Sequence, residues 1–360
     1  MKKPKNPKVK LTKKPRTFEL NMTGARSGSF GMAVLLGCFK LLCLFSFLTP
    51  QTSTALQMEV DGRPFIALTT VGSHFGMCGH WVQPDEVYRL SSNQTTIDFV
   101  KKSRLIKLNQ MPVYLGFSTV EMDGILFMSV ADYLHVLQPI LTPQVFKRKP
   151  GVRRVVIDVG HGDKDTGARN DDYGLLEKDL VMDVSIRLKQ LLKQSGFQVA
   201  LTRSSDVFIP LEERPAMANR YGADLFVSLH FNSAASPEPS GFEVFALTPQ
   251  YQPSTSKPKP TEGDAERFLG NKYDPWNMLA AYHVQRALVQ QGIGELDRGV
   301  KRARFMVLKH LDCPGVLVEL GFLSHVKTAR KVRSAKYRQL LAQGLCEGIL
   351  TYCERLQRIR

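Results

Sequence analysis

The sequence is poor in cysteine, and its cysteines are not spaced for a zinc site built from thiolates. It contains six cysteines and no Cys-x-x-Cys pair, so a cysteine-based zinc centre is not expected. Cys346 and Cys353 fall about two turns apart on one predicted helix, which is too far for a disulfide between them. We therefore predict free, buried thiols rather than a disulfide framework.

Acidic residues are nearly absent from the amino-terminal segment, and this accounts for most of the basic charge. Residues 1–55 contain ten lysine and arginine residues against Glu19 alone, a net of +9 out of +16 for the chain. The rest carries 16 − 9 = +7, which gives little support to nucleic-acid binding. The 43% hydrophobic content is ordinary for a globular protein, and 360 residues suffice for one large domain and a smaller one.

The amino-terminal apolar stretch is too interrupted for a typical membrane span. Gly31 to Leu48 is apolar except for Lys40, follows a basic region and precedes small residues that end at Ala55. This order is typical of an export signal. We predict residues 1–55 to be a basic region and signal peptide cleaved near Ala55, with export to the periplasm or cell envelope and no stable membrane span afterwards. An uncleaved anchor, a lipoprotein site at Cys38 and a disordered tail remain as alternatives.

The rest of the chain divides by pattern into two regions. Residues 56–143 show short alternating strands, such as Arg104 to Leu108, and one helix-like run, Val130 to Leu137. We predict a small α+β accessory module there, followed by a basic, proline-flanked linker at 144–151. Residues 152–356 form the predicted catalytic domain.

Strand and helix patterns alternate through residues 152–356. Continuous apolar strands such as Val155 to Val159 are expected where helices cover both faces of a sheet. The fold class is therefore α/β, a mostly parallel twisted sheet with helices on both faces, preceded by the small α+β module. The predicted strands are 155–159, 197–202, 225–230, 242–247, 305–308 and 316–320, and the predicted helices are 176–196, 211–221, 278–291 and 336–354.

Four polar side chains are expected at the carboxyl edge of this sheet, where open α/β sheets bind their ligands. His161 follows the first strand, His230 ends the third and Glu319 lies within an otherwise apolar strand, while Glu177 begins the first helix. Two histidines, a carboxylate and an open position form a catalytic zinc site. Taken singly, the two histidines and Glu177 each have a purely structural explanation. Glu319 is harder to explain in this way, because burying a carboxylate costs free energy unless it is paired, protonated or near a metal.

The motifs around these residues resemble one known family over about Arg153 to Tyr352. They are Asp158-Val-Gly-His-Gly162, Asp165-Thr-Gly-Ala168, Glu177-Lys-Asp, Leu201-Thr-Arg203, Leu225 to Asn232 and Val318-Glu-Leu-Gly-Phe-Leu-Ser324. The chain is similar to the type-3, zinc-dependent N-acetylmuramoyl-L-alanine amidases. The resemblance implies that His161, Glu177 and His230 hold Zn2+ and that Glu319 is catalytic.

The resemblance also implies the substrate, peptidoglycan, and hydrolysis of the amide between N-acetylmuramic acid and L-alanine. Asp165 and Asn232 are then candidate substrate contacts, and Arg203 and Arg214 are expected to fix loops by ion pairs. Residues 56–143 weakly resemble the copper amine oxidase N-terminal stalk module, through which an activator or envelope protein would bind. A non-catalytic peptidoglycan-binding protein and a zinc peptidase acting on the stem peptide are the alternatives.

Two further segments are candidates for special roles. His74, Cys78 and His80 cluster in a glycine-rich turn but lack a fourth metal ligand. Residues 248–275 occupy the position where some relatives insert a regulatory helix over the zinc. Their prolines disfavour a helix, so we expect a flexible loop beside the groove, with Glu262 and Glu266 as the alternative plugs on the metal.

Overall fold

The computed structural model describes residues 9–10, 56–147 and 149–359. The predicted signal, 1–55, lies outside the described residues apart from strand β1, Val9–Lys10. Among the residues described, no helix combines the length and apolar character that crossing a membrane requires.

The region before residue 147 consists of short antiparallel strands and short helices, as its alternating pattern predicts. Its elements are β2 (Gln57–Val60), β3 (Arg63–Ala67), α1 (Leu68–Phe75), β4 (Cys78–Gln83), β5 (Val87–Ser91), β6 (Thr96–Val100), β7 (Leu105–Leu108), β8 (Met111–Tyr114), β9 (Val120–Met122), β10 (Ile125–Ser129), α2 (Val130–Asp132), a π-helical turn (Tyr133–Leu137) and α3 (Gln138–Leu141). A sheet with the order β1-β2-β3-β10-β9 lies beside an antiparallel meander of β4 to β8. The predicted α+β character is confirmed.

The second region alternates strands with helices. Its elements are β11 (Arg154–Val159), β12 (Arg169–Asn170), β13 (Leu175–Leu176), α4 (Glu177–Gln194), β14 (Gln198–Leu201), α5 (Glu213–Tyr221), β15 (Leu225–Asn232), β16 (Phe242–Leu247), α6 (Asp274–Gln290), β17 (Asp297–Ala303), α7 (Met306–Lys309), β18 (Gly315–Phe322), α8 (Val326–Val332) and α9 (Ala335–Gln357). Two glycines with positive φ lie just after helices: Gly196 follows α4 and Gly222 follows α5. This is the usual position of glycine at a helix C-terminus.

The strands of this region form a mostly parallel sheet in the order β14-β11-β15-β18-β16-β17. β16 is antiparallel to β18, while the neighbouring pairs on either side of it are parallel. Successive residues of β11 pack on opposite faces: Val155, Ile157 and Val159 join the core that includes α4, α6 and α9. Val156 faces the second core, with residues of α5 and α7. The predicted α/β class with helices on both faces is confirmed.

The sheet continues from the second region into the first. β17 pairs in parallel with β8 at Val300 and Val113, which makes one eleven-stranded sheet that ends at β4. The buried guanidinium of Arg302 strengthens this junction, because it donates to the carbonyls of Leu247 and His135 at 2.8 and 2.6 Å. The division into 56–143, 144–151 and 152–356 stays a prediction.

Several elements differ from the sequence-based expectation, among them α8 and the short strands β12 and β13, for which the sequence predicts no element. Residues 305–308 were expected to form a strand, but Met306–Lys309 is the short helix α7. A run of four apolar residues fits a strand or a buried helical turn equally well, and here Val307 and Leu308 fill the core beside α5. Strand β17 had no prediction, because it carries three basic residues and a glycine in seven positions.

The segment 248–275 does not lie beside the carboxyl edge. β16 runs antiparallel to β18, with Glu243 opposite Glu319 and Ala246 opposite Val316. The segment therefore leaves β16 at the edge opposite the candidate site, and the expected groove-side loop is wrong. Arg304 holds it through Asp264 at 2.7 Å, and two short 3-10 helices, Glu262–Ala265 and Leu269–Tyr273, replace a regulatory helix.

Candidate metal centre

Three side chains with metal-binding atoms converge at the carboxyl edge of the sheet. His161 follows β11, Glu177 is the first residue of α4, and His230 lies near the end of β15. One ligand atom of each lies within 4.8 Å of the others, the only such group of three or more among the described residues. The structure thus brings together the three residues predicted from the sequence.

The donor atoms form a nearly equilateral triangle. His161 Nε2 and His230 Nδ1 each lie 2.9 Å from Glu177 Oε1, and the two ring nitrogens are 3.1 Å apart. Donors roughly 2.0–2.1 Å from one tetrahedral ion lie about 3.3 Å from each other. The residues therefore fit a zinc-sized ion with small adjustments, and two imidazoles with one carboxylate are a donor set that zinc accepts.

Contacts behind the three residues fix their orientation. Asp165 Oδ2 lies 2.9 Å from His161 Nδ1, on the side of the ring away from the triangle. Glu177 Oε1 accepts from the Phe231 N–H at 2.9 Å, and Oε2 accepts from the Ala168 N–H at 2.7 Å. Hydrogen bonds made to a metal ligand from behind set its tautomer and its direction. The sequence suggested a substrate contact for Asp165, whereas its position supports the orientation of His161.

The glycines of the site are required because the ligands pack directly against the backbone. A Cβ on Gly167, which has φ +65°, would lie 2.5 Å from Glu177 Oε2 and 2.7 Å from His161 Cδ2. A Cβ on Gly160 would lie 2.5 Å from His230 Cε1. Gly160 of the Gly-His-Gly turn therefore leaves room for His230, and Gly167 leaves room for Glu177 and His161.

The charges at the site favour ionised Glu177. Burial raises the pKa of Glu177, but the hydrogen bonds with His161 and His230 outweigh this and lower it to about 2. Burial lowers the pKa of His161, yet the contacts with Glu177 and Asp165 raise it overall. A carboxylate that stays ionised at neutral pH is in the state that metal binding needs.

Glu319 lies next to the triangle in the sheet. It pairs with His230 across β15 and with Glu243 across β16, so the three side chains lie on one face. Its Oε2 atom is buried without a hydrogen-bond partner among the described residues. Burial, and then the charges of Glu177 and Glu243, raise the pKa of Glu319 well above its usual value. A buried polar atom without a partner indicates a group that meets a ligand or water.

Glu243 was not anticipated from the sequence, although it is buried beside Glu319. Its Oε2 accepts from Arg298 Nε at 2.6 Å and also contacts Lys301 Nζ. Asn232 Nδ2 donates to its Oε1 at 3.3 Å. The signal in the sequence was a lone glutamate in the apolar run Phe242–Leu247, the same pattern that identified Glu319.

A buried ion pair supports the turn that carries His161. Arg214 Nη1 lies 2.9 Å from Asp158 Oδ1, and both side chains are almost fully buried. Arg214 also donates to the carbonyl of His161 at 3.1 Å, so its predicted ion-pair role has geometric support. Arg203 instead donates to backbone carbonyls, among them Gly160 at 2.8 Å.

The remaining histidines lie apart from this cluster. His74 and His80 belong to no metal-binding group of three among the described residues. His283 is buried in α6, where burial and then nearby arginines lower its pKa to about 4. His325 caps α8 and contacts Thr328.

Comparison with known proteins identifies the family of this chain. Residues 155–351 match the family model described as N-acetylmuramoyl-L-alanine amidase. The chain is 34% identical over 218 residues to the N-acetylmuramoyl-L-alanine amidase AmiC of Escherichia coli O6:H1 (strain CFT073), covering 55% of this chain and 52% of that protein. It is 32% identical over 228 residues to AmiA of E. coli K12, covering 57% of this chain and 78% of AmiA.

A solved N-acetylmuramoyl-L-alanine amidase from Clostridium difficile 630 aligns with 57% of this chain and 98% of its own, at 30% identity and a TM-score of 0.47. The chain spans about half the length of the AmiC relative. Because the family model covers more than half of the 360 residues, the chain belongs to the N-acetylmuramoyl-L-alanine amidase family.

Proposed function

We propose that this family member hydrolyses the amide bond between N-acetylmuramic acid and L-alanine in peptidoglycan, using Zn2+. The observation that carries the proposal is the triangle of His161, Glu177 and His230, with donor atoms 2.9–3.1 Å apart and Glu319 paired with His230. The family membership of residues 155–351 supplies the bond and the substrate.

His161, Glu177 and His230 would hold the zinc ion. The chemistry that zinc supplies in such sites is acidification of water and polarisation of the amide carbonyl. The carboxylate of Asp165 keeps His161 turned toward the site through its 2.9 Å contact with Nδ1. Arg214 and Asp158 hold the turn beneath.

Glu319 is the proposed catalytic residue, and its position and pKa suit proton transfer. Its carboxylate takes a proton from the attacking water as the new C–O bond forms at the lactyl carbonyl. It returns the proton to the nitrogen as the C–N bond breaks, which gives a lactyl carboxylate and the free amine of L-alanine. Burial and the charges of Glu177 and Glu243 raise its pKa, which makes it a stronger base than an exposed glutamate.

We also propose that the protein acts outside the cytoplasm, in the periplasm or cell envelope, where its substrate lies. The basic and apolar pattern of residues 1–55 supports export. An activator or envelope protein binding the region 56–143 would be a further partner. No nucleic-acid partner is proposed, because most of the basic charge lies in the first 55 residues.

Mass spectrometry of digested peptidoglycan tests the function directly. We expect peptides with a free L-alanine amino terminus, loss of the activity with a chelator and its return with zinc. Glu319→Gln should reduce kcat by roughly 10²–10⁴-fold with zinc content retained, while the matched variant Glu347→Gln, exposed on α9, stays active. New reducing sugar ends would indicate a glycosidase, and cuts within the stem peptide a zinc peptidase. Binding without any product would indicate a non-catalytic wall protein.

A further inference from the structure

A row of charged side chains crosses the sheet from the metal centre toward β17. His230, Glu319 and Glu243 are register partners on three adjacent strands, β15, β18 and β16, so they share one face. Arg298 and Lys301 of β17 reach the Glu243 carboxylate from the next strand. The row therefore has acidic groups near the metal centre and basic groups at its far end.

The basic end carries an excess positive charge. Glu243 is the one carboxylate in contact with both Arg298 and Lys301 among the described residues, and Oε2 is the oxygen that both approach. Lysine and arginine are protonated at neutral pH, so the three groups sum to +1. Glu243 is also 4% exposed at its side chain, which keeps the cluster away from solvent screening.

Arg298 is the member of the cluster that faces outward in a fixed position. Its guanidinium lies 4.9 Å from the ring centre of Phe322, which follows Glu319 on β18. Nε donates to Glu243 at 2.6 Å and Nη1 approaches the Ser240 carbonyl at 3.4 Å. Nη2 has no acceptor in the described part of the chain, and the side chain is 28% exposed. By contrast, Lys301 is 12% exposed.

We propose that Arg298 is a specificity residue that binds a free carboxylate of the stem peptide. The inference rests on the proposed amidase function. With the scissile amide bound between the metal centre and Glu319, Arg298 and Lys301 lie to one side of this amide. The glycan side offers no free carboxylate, since the lactyl carboxyl is in the amide, whereas the stem peptide has free carboxylates. The ordered guanidinium is suited to a paired hydrogen bond with such a group.

The test uses two muropeptides that differ by one group. In the first muropeptide, the residue that follows L-alanine has a free α-carboxylate. In the second muropeptide, the same group is a neutral carboxamide. We expect kcat/KM of the wild type to be roughly tenfold higher for the carboxylate. Arg298→Gln should bring this ratio close to one, chiefly through KM, and Arg298→Lys should restore part of it. Arg330→Gln, an exposed arginine of α8, serves as the matched control and should keep the wild-type ratio.

A second measurement needs no variant and so does not depend on the folding of Arg298→Gln. The product peptides, as acid and as amide, are compared as inhibitors of the wild-type enzyme, and the acid should bind roughly tenfold more tightly. Equal inhibition, or an unchanged ratio in a folded Arg298→Gln with normal zinc content, would overturn the role of Arg298. If the wild type cut neither muropeptide at the muramoyl–alanine bond, the proposed function itself would fail.

Discussion

Replacing Asp165 by asparagine separates two roles for this residue, substrate contact and orientation of a metal ligand. The carboxylate lies 2.9 Å from His161 Nδ1, and Oδ1 also accepts from the Gly167 N–H at 3.1 Å. Asparagine keeps the size of the side chain and removes its charge. We expect the variant to fold and to bind zinc more weakly, because the imidazole loses its anionic partner.

The expected loss of zinc affinity depends on how exposed Asp165 and His161 are. Loss of the hydrogen-bond partner that orients a metal ligand reduces metal affinity by roughly 10–100-fold, or about 1.4–2.7 kcal/mol. The Asp165 side chain is 40% exposed while that of His161 is 20% exposed, so solvent screens part of the interaction. We therefore expect the lower end, a loss of about tenfold in zinc affinity.

The assay is competition for zinc between the protein and a chromogenic chelator, followed by activity at increasing zinc concentrations. Saturating zinc should restore most of kcat in Asp165→Asn, with KM near that of the wild type. Asp171→Asn is the matched control, because its side chain is 81% exposed and its ion pair with Arg169 lies on the surface. Unchanged zinc affinity together with a raised KM would refute the orienting role and return Asp165 to substrate binding.

Three other perturbations have expected outcomes. Gly167→Ala should contain less zinc by atomic absorption, because its Cβ would collide with Glu177. The control Gly174→Ala also has positive φ, +60°, but open space around its Cβ position. It should keep the metal and lower the free energy of unfolding by only about 1 kcal/mol. Asp158→Asn leaves a buried arginine uncompensated and should lower the free energy of unfolding in urea by about 3–5 kcal/mol, against less than about 1 kcal/mol for Asp171→Asn at its exposed pair with Arg169. In the metal-free protein, the folded pKa of Glu177 is about 2 against the usual 4.5, so its stabilisation is complete above that usual value and is lost as the pH falls toward 2. Urea unfolding of Glu177→Gln across that range should show a weaker acid dependence, and an unchanged dependence would contradict the assignment.

Much of the fold could be predicted because the core strands and helices have clear periodicity. The apolar strand at 155–159 and the helix from residue 176 are present within two residues as β11 and α4. The prediction of secondary structure failed where a strand buries charged side chains. β17 buries Arg302 between two carbonyls, and no hydrophobic pattern marks such a strand.

The metal triangle was predictable because His161 follows β11, His230 lies near the end of β15 and Glu177 begins α4, all at the same sheet edge. The charged row beyond it was not, since it depends on register between strands distant in sequence. Glu243 and Glu319 become neighbours only because β16 reverses direction beside β18. Arg298 reaches Glu243 beside a shift in the pairing of β16 with β17, and the local sequence does not reveal such a shift.

The junction between β8 and β17 has a consequence for how the chain folds. Val113 and Val300 pair although 187 residues separate them, and contacts of such long range form slowly because the intervening chain must first be closed. The hairpins of β4 to β8 are local and can form early, which leaves β8 as an open edge until β17 arrives. During that interval the unpaired edge can pair with another chain. We expect the yield of refolding to fall as protein concentration rises, with completion of β17 as the step that ends this exposure.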